Sequence, residues 1–306
     1  MPQSPSGDAP ERLARARTAL EGLSVGDAFG ERFFVDYTIV ERLIEERAEP
    51  AAPWPYTDDT EMALSVVASL IEHGRIDQEY LAGGFAGRYD PSRGYGPAMH
   101  RTLRRIGAGE PWRRVAGSAF EGQGSYGNGA AMRVAPLGAH FADDPTLAAE
   151  QARWSAEVTH AHPEGIAGAV AVAAAAAWAC RLRGAVRPPV PDFLDRVLEL
   201  VPDSEVHERV RHARNLAPTA SVRLAVAALG NGSRVSAQDT VPFALWCAAH
   251  HLDDFVEAMW LTVSGLGDRD TTCAVVGGIV AGFTGVEGIP PGWRAAREPL
   301  PSWLHG

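Results

Sequence analysis

With 306 residues, the chain is long enough for one large domain or two small ones, and a domain of that size buries about three quarters of its unfolded surface. The net charge is −10 and the arginines are scattered among acids with no basic run, which argues against nucleic acid as a partner held through its phosphates and leaves a small molecule or a protein as substrate. Cys180, Cys247 and Cys273 are odd in number and widely spaced in apolar surroundings; they suggest reduced, buried thiols and a cytoplasmic protein rather than a disulfide framework.

Met1 to Pro10 is rich in Pro, Ser and Gly and lacks a basic-then-apolar pattern, so a disordered tail (residues 1–10) is expected and no signal peptide. Glu11 to Gly30 follows as a helix, with Leu13, Ala16, Leu20, Leu23 and Phe29 roughly on one side. Gly22, Gly26 and Gly30 recur every fourth position, each costing about 1 kcal/mol relative to Ala. Such a face lets another backbone approach closely. Asp27 and Glu31, four apart, share a helical face and are able to point into one site. Phe33 to Pro55 is a connector with a short helix around Val40 to Glu46, ended by the Pro-rich stretch 50–55.

Tyr56-Thr57-Asp58-Asp59-Thr60 opens an apolar-periodic run to His73, with Met62, Val66, Val67, Leu70 and Ile71 at helical spacing and Gly74 closing it. The acids therefore sit at a helix N-terminus, where free N–H groups favour negative charge. Thr57 or Asp59 as an N-cap explains part of the pattern. Gln78 to Tyr89 continues as helix, Asp90 to Gly96 as a turn rich in Gly and Pro, and Pro97 to Ile106 as helix.

Phe120 to Arg133 is Gly-rich, its glycines alternating with Ser125, Tyr126 and Asn128. Exposed backbone N–H groups, together with a helix expected to begin near Ala130, suit a phosphate. The pattern is neither a P-loop nor a dinucleotide fingerprint, so a purely structural loop is the alternative. Phe120 and Tyr126 are either a stacking pair for a planar base or loop anchors. Asp143 or Asp144 with Pro145 starts a helix to about Val158. Thr159-His160-Ala161-His162-Pro163 then opens an Ala-rich helix through Cys180, whose apolar run of 16 residues is short for a bilayer, so no membrane is expected. His160 sits where it suits a phosphate or ribose oxygen, and His162 serves as a local cap; a satisfied structural histidine is the plainer reading of either. Further helices are expected near Pro191 to Val201, Ser204 to Leu216, Ser221 to Leu229, Asp239 to His251 and Asp253 to Leu266.

Gly267-Asp268-Arg269-Asp270-Thr271-Thr272 repeats the motif of acids and hydroxyls ahead of an apolar run, Cys273 to Thr284. If this tip and the Asp58 tip meet, each like-charge pair near 4 Å costs on the order of 4 kcal/mol at an effective dielectric of about 20. Bound cations offset such repulsion, and oxygen-only donors select Mg²⁺ or Mn²⁺ over Zn²⁺. Ile289 to Gly306 is a Pro- and Trp-containing tail. With β-like alternation almost absent, the expected fold is an all-α, single-domain orthogonal bundle of roughly ten to fourteen helices over residues 11–288, with no repeat of 20–50 residues.

In this order, Gly22 to Asp27, Tyr56 to Thr60, Arg93 to Gly96, Gly124 to Gly129 with Arg133, Thr159-His160 and Gly267 to Thr271 resemble the ADP-ribosylhydrolase family, glycohydrolases related to the enzyme that reactivates dinitrogenase reductase. The third and fourth motifs are most similar to the branch that removes ADP-ribose from serine and degrades poly(ADP-ribose). The resemblance implies a cleft with two Mg²⁺ ions, Mn²⁺ being the alternative, held at Thr57, Asp58, Asp59, Asp268, Asp270 and Thr271. It implies that Phe120 and Tyr126 flank an adenine, that Ser125, Gly127, Asn128 and His160 hold the pyrophosphate and distal ribose, and that Gly94 and Gly96 contact substrate. ADP-ribose or an ADP-ribosylated protein is the implied partner of a protein expected to be monomeric. In the implied reaction, Asp58 or Asp59 orients or deprotonates the water that attacks an oxocarbenium-like centre.

One position departs from the pattern. Seven residues after Asp27, where the family usually carries a metal-contacting Glu, this chain has Phe34. Glu31 lies three residues earlier, and a helix continuing through Phe34 puts it on the same face about 4.5 Å along the axis, so Glu31 is the candidate acid. The alternative is a protein that binds ADP-ribose and cleaves it slowly or not at all. A prenyl-diphosphate synthase needs an acid at position 62, which is Met62, and is set aside.

Overall fold

The computed structural model describes residues 9–305. Of the expected N-terminal tail, residues 1–8 lie outside the described residues, and Ala9 and Pro10 already belong to the first helix. The order begins α1 Ala9–Glu31, α2 Tyr37–Glu45, α3 Asp58–His73, α4 Gln78–Arg88, α5 Pro97–Gly107, α6 Trp112–Gly117, α7 Ala119–Gly122 and α8 Ala135–His140. It continues with α9 Pro145–Glu157, α10 Pro163–Arg181, α11 Val190–Leu198, α12 Glu205–Asn215, α13 Val222–Leu229, α14 Ala237–His250, α15 Phe255–Val263, α16 Arg269–Thr284 and α17 Pro291–Ala296. Among the described residues no strand forms, and the β-type pairings are isolated bridges, Trp54 with Arg297 and Gly127 with Ser236.

The bundle is all-α, as its sequence periodicity implies. The helices beyond the expected upper count are α6, α7 and α17, of 6, 4 and 6 residues, too short to leave a 3.6-residue period. The helix expected near Ala130 is not there. Asn128 to Ala130 forms one 3₁₀ turn, and the α-helix begins only at Ala135. The backbone is first held by Asn128, whose carbonyl accepts from the N–H of both Ala131 and Met132.

The glycines of α1 are where two helices touch. A Cβ added at Gly22 would lie 2.3 Å from the Gly277 carbonyl oxygen, one at Gly26 2.1 Å from that of Cys273, and one at Gly30 2.2 Å from that of Arg269. As the number rises by four on α1 it falls by four on α16, so the helices run antiparallel in backbone contact. This seam lays the C-terminal turn of α1 against the N-terminal turn of α16.

Beside its end, Phe29 stacks on Trp293 at 4.6 Å between ring centroids, with Phe33, Trp54 and Trp260 edge-on or tilted around Phe29. The C-terminal stretch thus places Ile289, Trp293 and Leu304 in the main core. The Ala-rich α10 crosses the middle. At 19 residues and mean hydropathy 1.4 it is, by length and composition, long enough to cross a membrane, which corrects the shorter run read from the sequence, and 72% of its most apolar window is buried against neighbouring helices. Small side chains permit that closeness: a Cβ at Gly138 on α8 would lie 2.2 Å from the Ala173 carbonyl oxygen of α10. The three cysteines are unpaired; Cys247 and Cys273 are buried and Cys180 is partly exposed.

Candidate active site

The start of α3 is built around a single carboxylate from α1. Asp27, fully buried, accepts from the backbone N–H of Thr57 at 3.0 and 3.1 Å and of Thr60 at 3.1 Å, and from the hydroxyls of Thr57 at 2.8 Å and Thr60 at 2.5 Å. It satisfies N–H groups that a helix start leaves without intrahelical partners. Burial pushes its pKa up to about 6, against the lowering effect of these bonds. Thr57 is the N-cap, its hydroxyl accepting from the Asp59 N–H at 3.4 Å, and the Asp58 N–H donates to the Arg93 carbonyl at 2.8 Å.

The two acid-bearing tips meet. The Thr271 hydroxyl at the start of α16 donates to Asp59 Oδ2 at 3.4 Å, 212 positions away in sequence, and the Thr57 hydroxyl lies 3.0 Å from the same oxygen. Asp268 accepts from the Asn128 side-chain amide at 2.7 Å, which ties the Gly-rich loop to the second tip. Burial and the neighbouring carboxyls oppose ionisation of each acid in the cluster. Burial first, then Asp27, holds the Asp58 carboxyl up at about 8. Asp59 is raised well above the carboxylate range by burial and then by Asp27 and Asp270; Asp270 is raised likewise by burial, Asp268 and Asp27. Asp268 is raised by burial, with the Asn128 bond opposing.

Glu31 is half-buried at the end of α1, its pKa raised by burial and by the charges of Asp27 and Asp268. The helix stops there, so the premise that it continues through Phe34 does not hold. Phe34 is 48% exposed, with the Arg269 guanidinium 4.8 Å from its ring centre.

A cavity of about 450 Å³ opens beside the tips. Of the residues expected in the site, Asp58, Gly94, Gly96, Phe120, Ser125, Tyr126, Gly127, Asn128, His160, Asp268, Asp270 and Thr271 line it, whereas Thr57, Asp59 and Glu31 do not. Gly94 adopts φ +88, so a side chain there would be strained by the backbone conformation, although its Cβ would only touch Asp58 Oδ1 at an ordinary 3.9 Å. Phe120 and Tyr126 are stacked, ring centroids 6.1 Å apart and planes 29° apart. Phe120 and Glu121 hold φ of 50 and 59, strain of the kind that persists where a ligand is gripped. A planar base between the rings needs about 7 Å, two van der Waals contacts, so a small widening admits it. If the rings flank an adenine, as the sequence resemblance implies, Phe120→Ala and Tyr126→Ala should each weaken ADP-ribose binding about tenfold or more, from the loss of one stacked face; isothermal calorimetry reads this, and unchanged affinity in both would remove the pair from the site.

Sequence reading missed part of the wall. Arg234 and Val235, between the helices expected at Ser221 to Leu229 and Asp239 to His251, line the cavity. Val235, at φ 53, gives its carbonyl to the Asn128 N–H at 3.3 Å, and a strained β-branched residue leaves no sequence signature beyond the turn glycines at 230 and 232. Glu61, just inside α3, accepts from the Tyr95 hydroxyl at 2.7 Å and the Asp90 N–H at 3.0 Å, fixing the 90–96 turn.

The donor set suits a hard divalent cation. Asp59 Oδ1 is sealed from solvent without a hydrogen-bond partner, carboxylates repel one another around it, and the nearby donors are oxygens. Among the described residues no three His, Cys, Asp or Glu side chains form a cage on their own, so the hydroxyls of Thr57 and Thr271 would complete the ligand set.

The ADP-ribosylglycohydrolase family profile matches residues 8–306. The chain belongs to that family and is accordingly a hydrolase of glycosyl bonds. It is 30% identical to ADP-ribosylhydrolase ARH3 of Xenopus tropicalis over 94% of this chain and 91% of that protein. Identity to ADP-ribosylhydrolase ARH3 of Homo sapiens is 29%, covering 94% and 90%. A solved structure described as an ADP-ribosylglycohydrolase-related protein complex superposes with a TM-score of 0.67 at 29% identity, covering 94% of each chain. These relatives support the branch that the Arg93 to Gly96 and Gly124 to Gly129 motifs suggest.

Proposed function

We propose that the protein hydrolyses an O-linked, serine-type ADP-ribosyl bond, or a related ADP-ribose ester or polymer, and releases ADP-ribose with the help of two Mg²⁺ ions. The supporting observation is one cavity walled by a stacked aromatic pair, a glycine loop joined to a buried histidine, and two acid-bearing helix tips. In this reading Phe120 and Tyr126 hold the adenine, and the loop from Ser125 to Asn128 with His160 holds the diphosphate and distal ribose. Thr57, Asp58, Asp59, Asp268, Asp270 and Thr271 hold the ions. Bound there, Mg²⁺ supplies Lewis-acid stabilisation of charge on oxygen. Asp58 or Asp59 orients the attacking water, and Glu31, half-buried at the end of α1 with its pKa raised by burial and by Asp27, stands in for the acid replaced by Phe34. Positioning and fixed charge then carry most of the rate.

The test is release of ADP-ribose from serine-linked, arginine-linked and polymeric substrates with Mg²⁺ and with EDTA. Metal-dependent release from the serine-linked peptide is expected. Mg²⁺ at a hundredfold excess over its Kd should also add about 2.7 kcal/mol of stability, read as a higher melting temperature that EDTA reverses. Release confined to the arginine-linked substrate would overturn the serine assignment, and tight ADP-ribose binding without release would favour a binder.

A further inference from the structure

Behind the cavity wall lies a buried arginine that the proposed reaction does not use. Arg133 is fully buried and, among the described residues, has no carboxylate partner. Its guanidinium donates to the Ser155 carbonyl at 2.8 Å and to the Thr159 hydroxyl at 2.9 Å, lies 3.6 Å from the Met62 sulfur and sits 4.4 Å from the centre of the Phe85 ring. The Thr159 hydroxyl lies 2.7 Å from His160 Nδ1.

Hydrogen-bond inventory fixes the direction of this chain. A guanidinium only donates, so Thr159 Oγ1 accepts from it and retains one hydrogen to give. Thr159 is 1% exposed, and Nδ1 of His160 is the acceptor within reach. Were Nδ1 protonated, the Thr159 hydrogen would be buried without a partner, which is unfavourable. The histidine therefore carries its hydrogen on Nε2. That nitrogen faces the glycine loop: a Cβ added at Gly127 or Gly129 would lie 3.2 or 3.1 Å from it, and His160 lines the cavity. Burial, and secondarily the Arg133 charge, pushes the His160 pKa down to about 3, so the ring stays neutral with its single hydrogen where the relay puts it.

We propose that Arg133 and Thr159 are positioning residues, acting in series to hold His160 as an Nε2–H donor to an oxygen of bound ADP-ribose. The proposal deepens the reading of this cavity as an ADP-ribose site and rests on it. The relay selects the anionic or carbonyl-like acceptor: an Nε2 lone pair would repel a phosphate oxygen, whereas an N–H attracts it.

The experiment pairs long-range ¹H–¹⁵N spectra of the His160 ring with calorimetry using ADP-ribose, in the unmodified protein and in Thr159→Val, Thr159→Ser and His160→Ala. The unmodified ring is expected as a single Nε2–H tautomer. Thr159→Val should lose that single tautomer and bind ADP-ribose about tenfold more weakly, with KM raised more than kcat is lowered; Thr159→Ser, which keeps the hydroxyl, should restore all three readouts. An Nδ1–H tautomer in the unmodified protein overturns the relay, and so does Thr159→Val with unchanged affinity while His160→Ala binds weakly. If His160→Ala binds as tightly as the unmodified protein, the site reading itself fails and takes the proposal with it. The spectrum of the unmodified protein decides the tautomer even if Thr159→Val does not fold.

Discussion

Asp59→Asn is expected to lower kcat by about a thousandfold or more while raising the melting temperature of the metal-free protein. Preorganised charge and water-orienting groups contribute about a hundredfold to ten-thousandfold in rate, and Asp59 is proposed to hold an ion and, with Asp58 as the alternative, to orient the water. The stability gain has a separate origin. Asp59 is 1% exposed, its Oδ1 has no hydrogen-bond partner, and its pKa is driven up by burial and by the charges of Asp27, Asp270, Asp58 and Asp268. An amide keeps the shape and cannot ionise, so the cost of burying an acid beside Asp27, Asp270, Asp58 and Asp268 is removed and returns in part as stability. Scanning calorimetry in EDTA and steady-state release from an ADP-ribosylated peptide read the two effects. A lower melting temperature, or full turnover, would remove Asp59 from the proposed role. Opposite signs for stability and rate are the mark of a residue kept for chemistry.

A second buried acid in the same cluster behaves in the opposite sense. Asp27→Ala is expected to destabilise the protein by about 3 kcal/mol and to abolish activity. Truncation strands the backbone N–H groups of Thr57 and Thr60 and the hydroxyls of both, each unsatisfied buried donor costing about 1–3 kcal/mol. Relief of a carboxylate already pushed up to about 6 by burial offsets part of that sum. Denaturant midpoints measure the loss. A loss of stability under about 1 kcal/mol, from the midpoint shift multiplied by the denaturant slope, would mean that α3 finds other acceptors and that Asp27 is not its anchor.

The two acids also show what sequence can and cannot reveal. Glycines every fourth residue on α1 announced a close helical contact, and the contact is there, because only absent side chains permit that approach. The acid and hydroxyl tips were equally legible, since two such helix starts in one chain are hard to explain singly. The partner of the glycine face was not legible: nothing in positions 22, 26 and 30 names positions 277, 273 and 269. Asp27 is legible only as sharing a helical face with Glu31, and its work as the acceptor for a helix start 30 residues later depends on the tertiary meeting of α1 and α3. The misplaced helix near Ala130 arose because a run of small residues after glycines looks like a helix start, whereas Asn128 uses both its carbonyl and its side-chain amide to hold a tighter turn there. Thr159 and Arg133 were visible as letters in a motif, but their direction of hydrogen donation exists only in three dimensions.

The antiparallel α1 and α16 seam has a consequence for how the protein is made. During synthesis the first acid tip leaves the ribosome some two hundred residues before the second, and until α16 emerges the glycines of α1 have no backbone to meet. A nascent chain therefore carries half of the acid cluster alone, and the residues proposed to hold the ions come together only when α16 docks along α1.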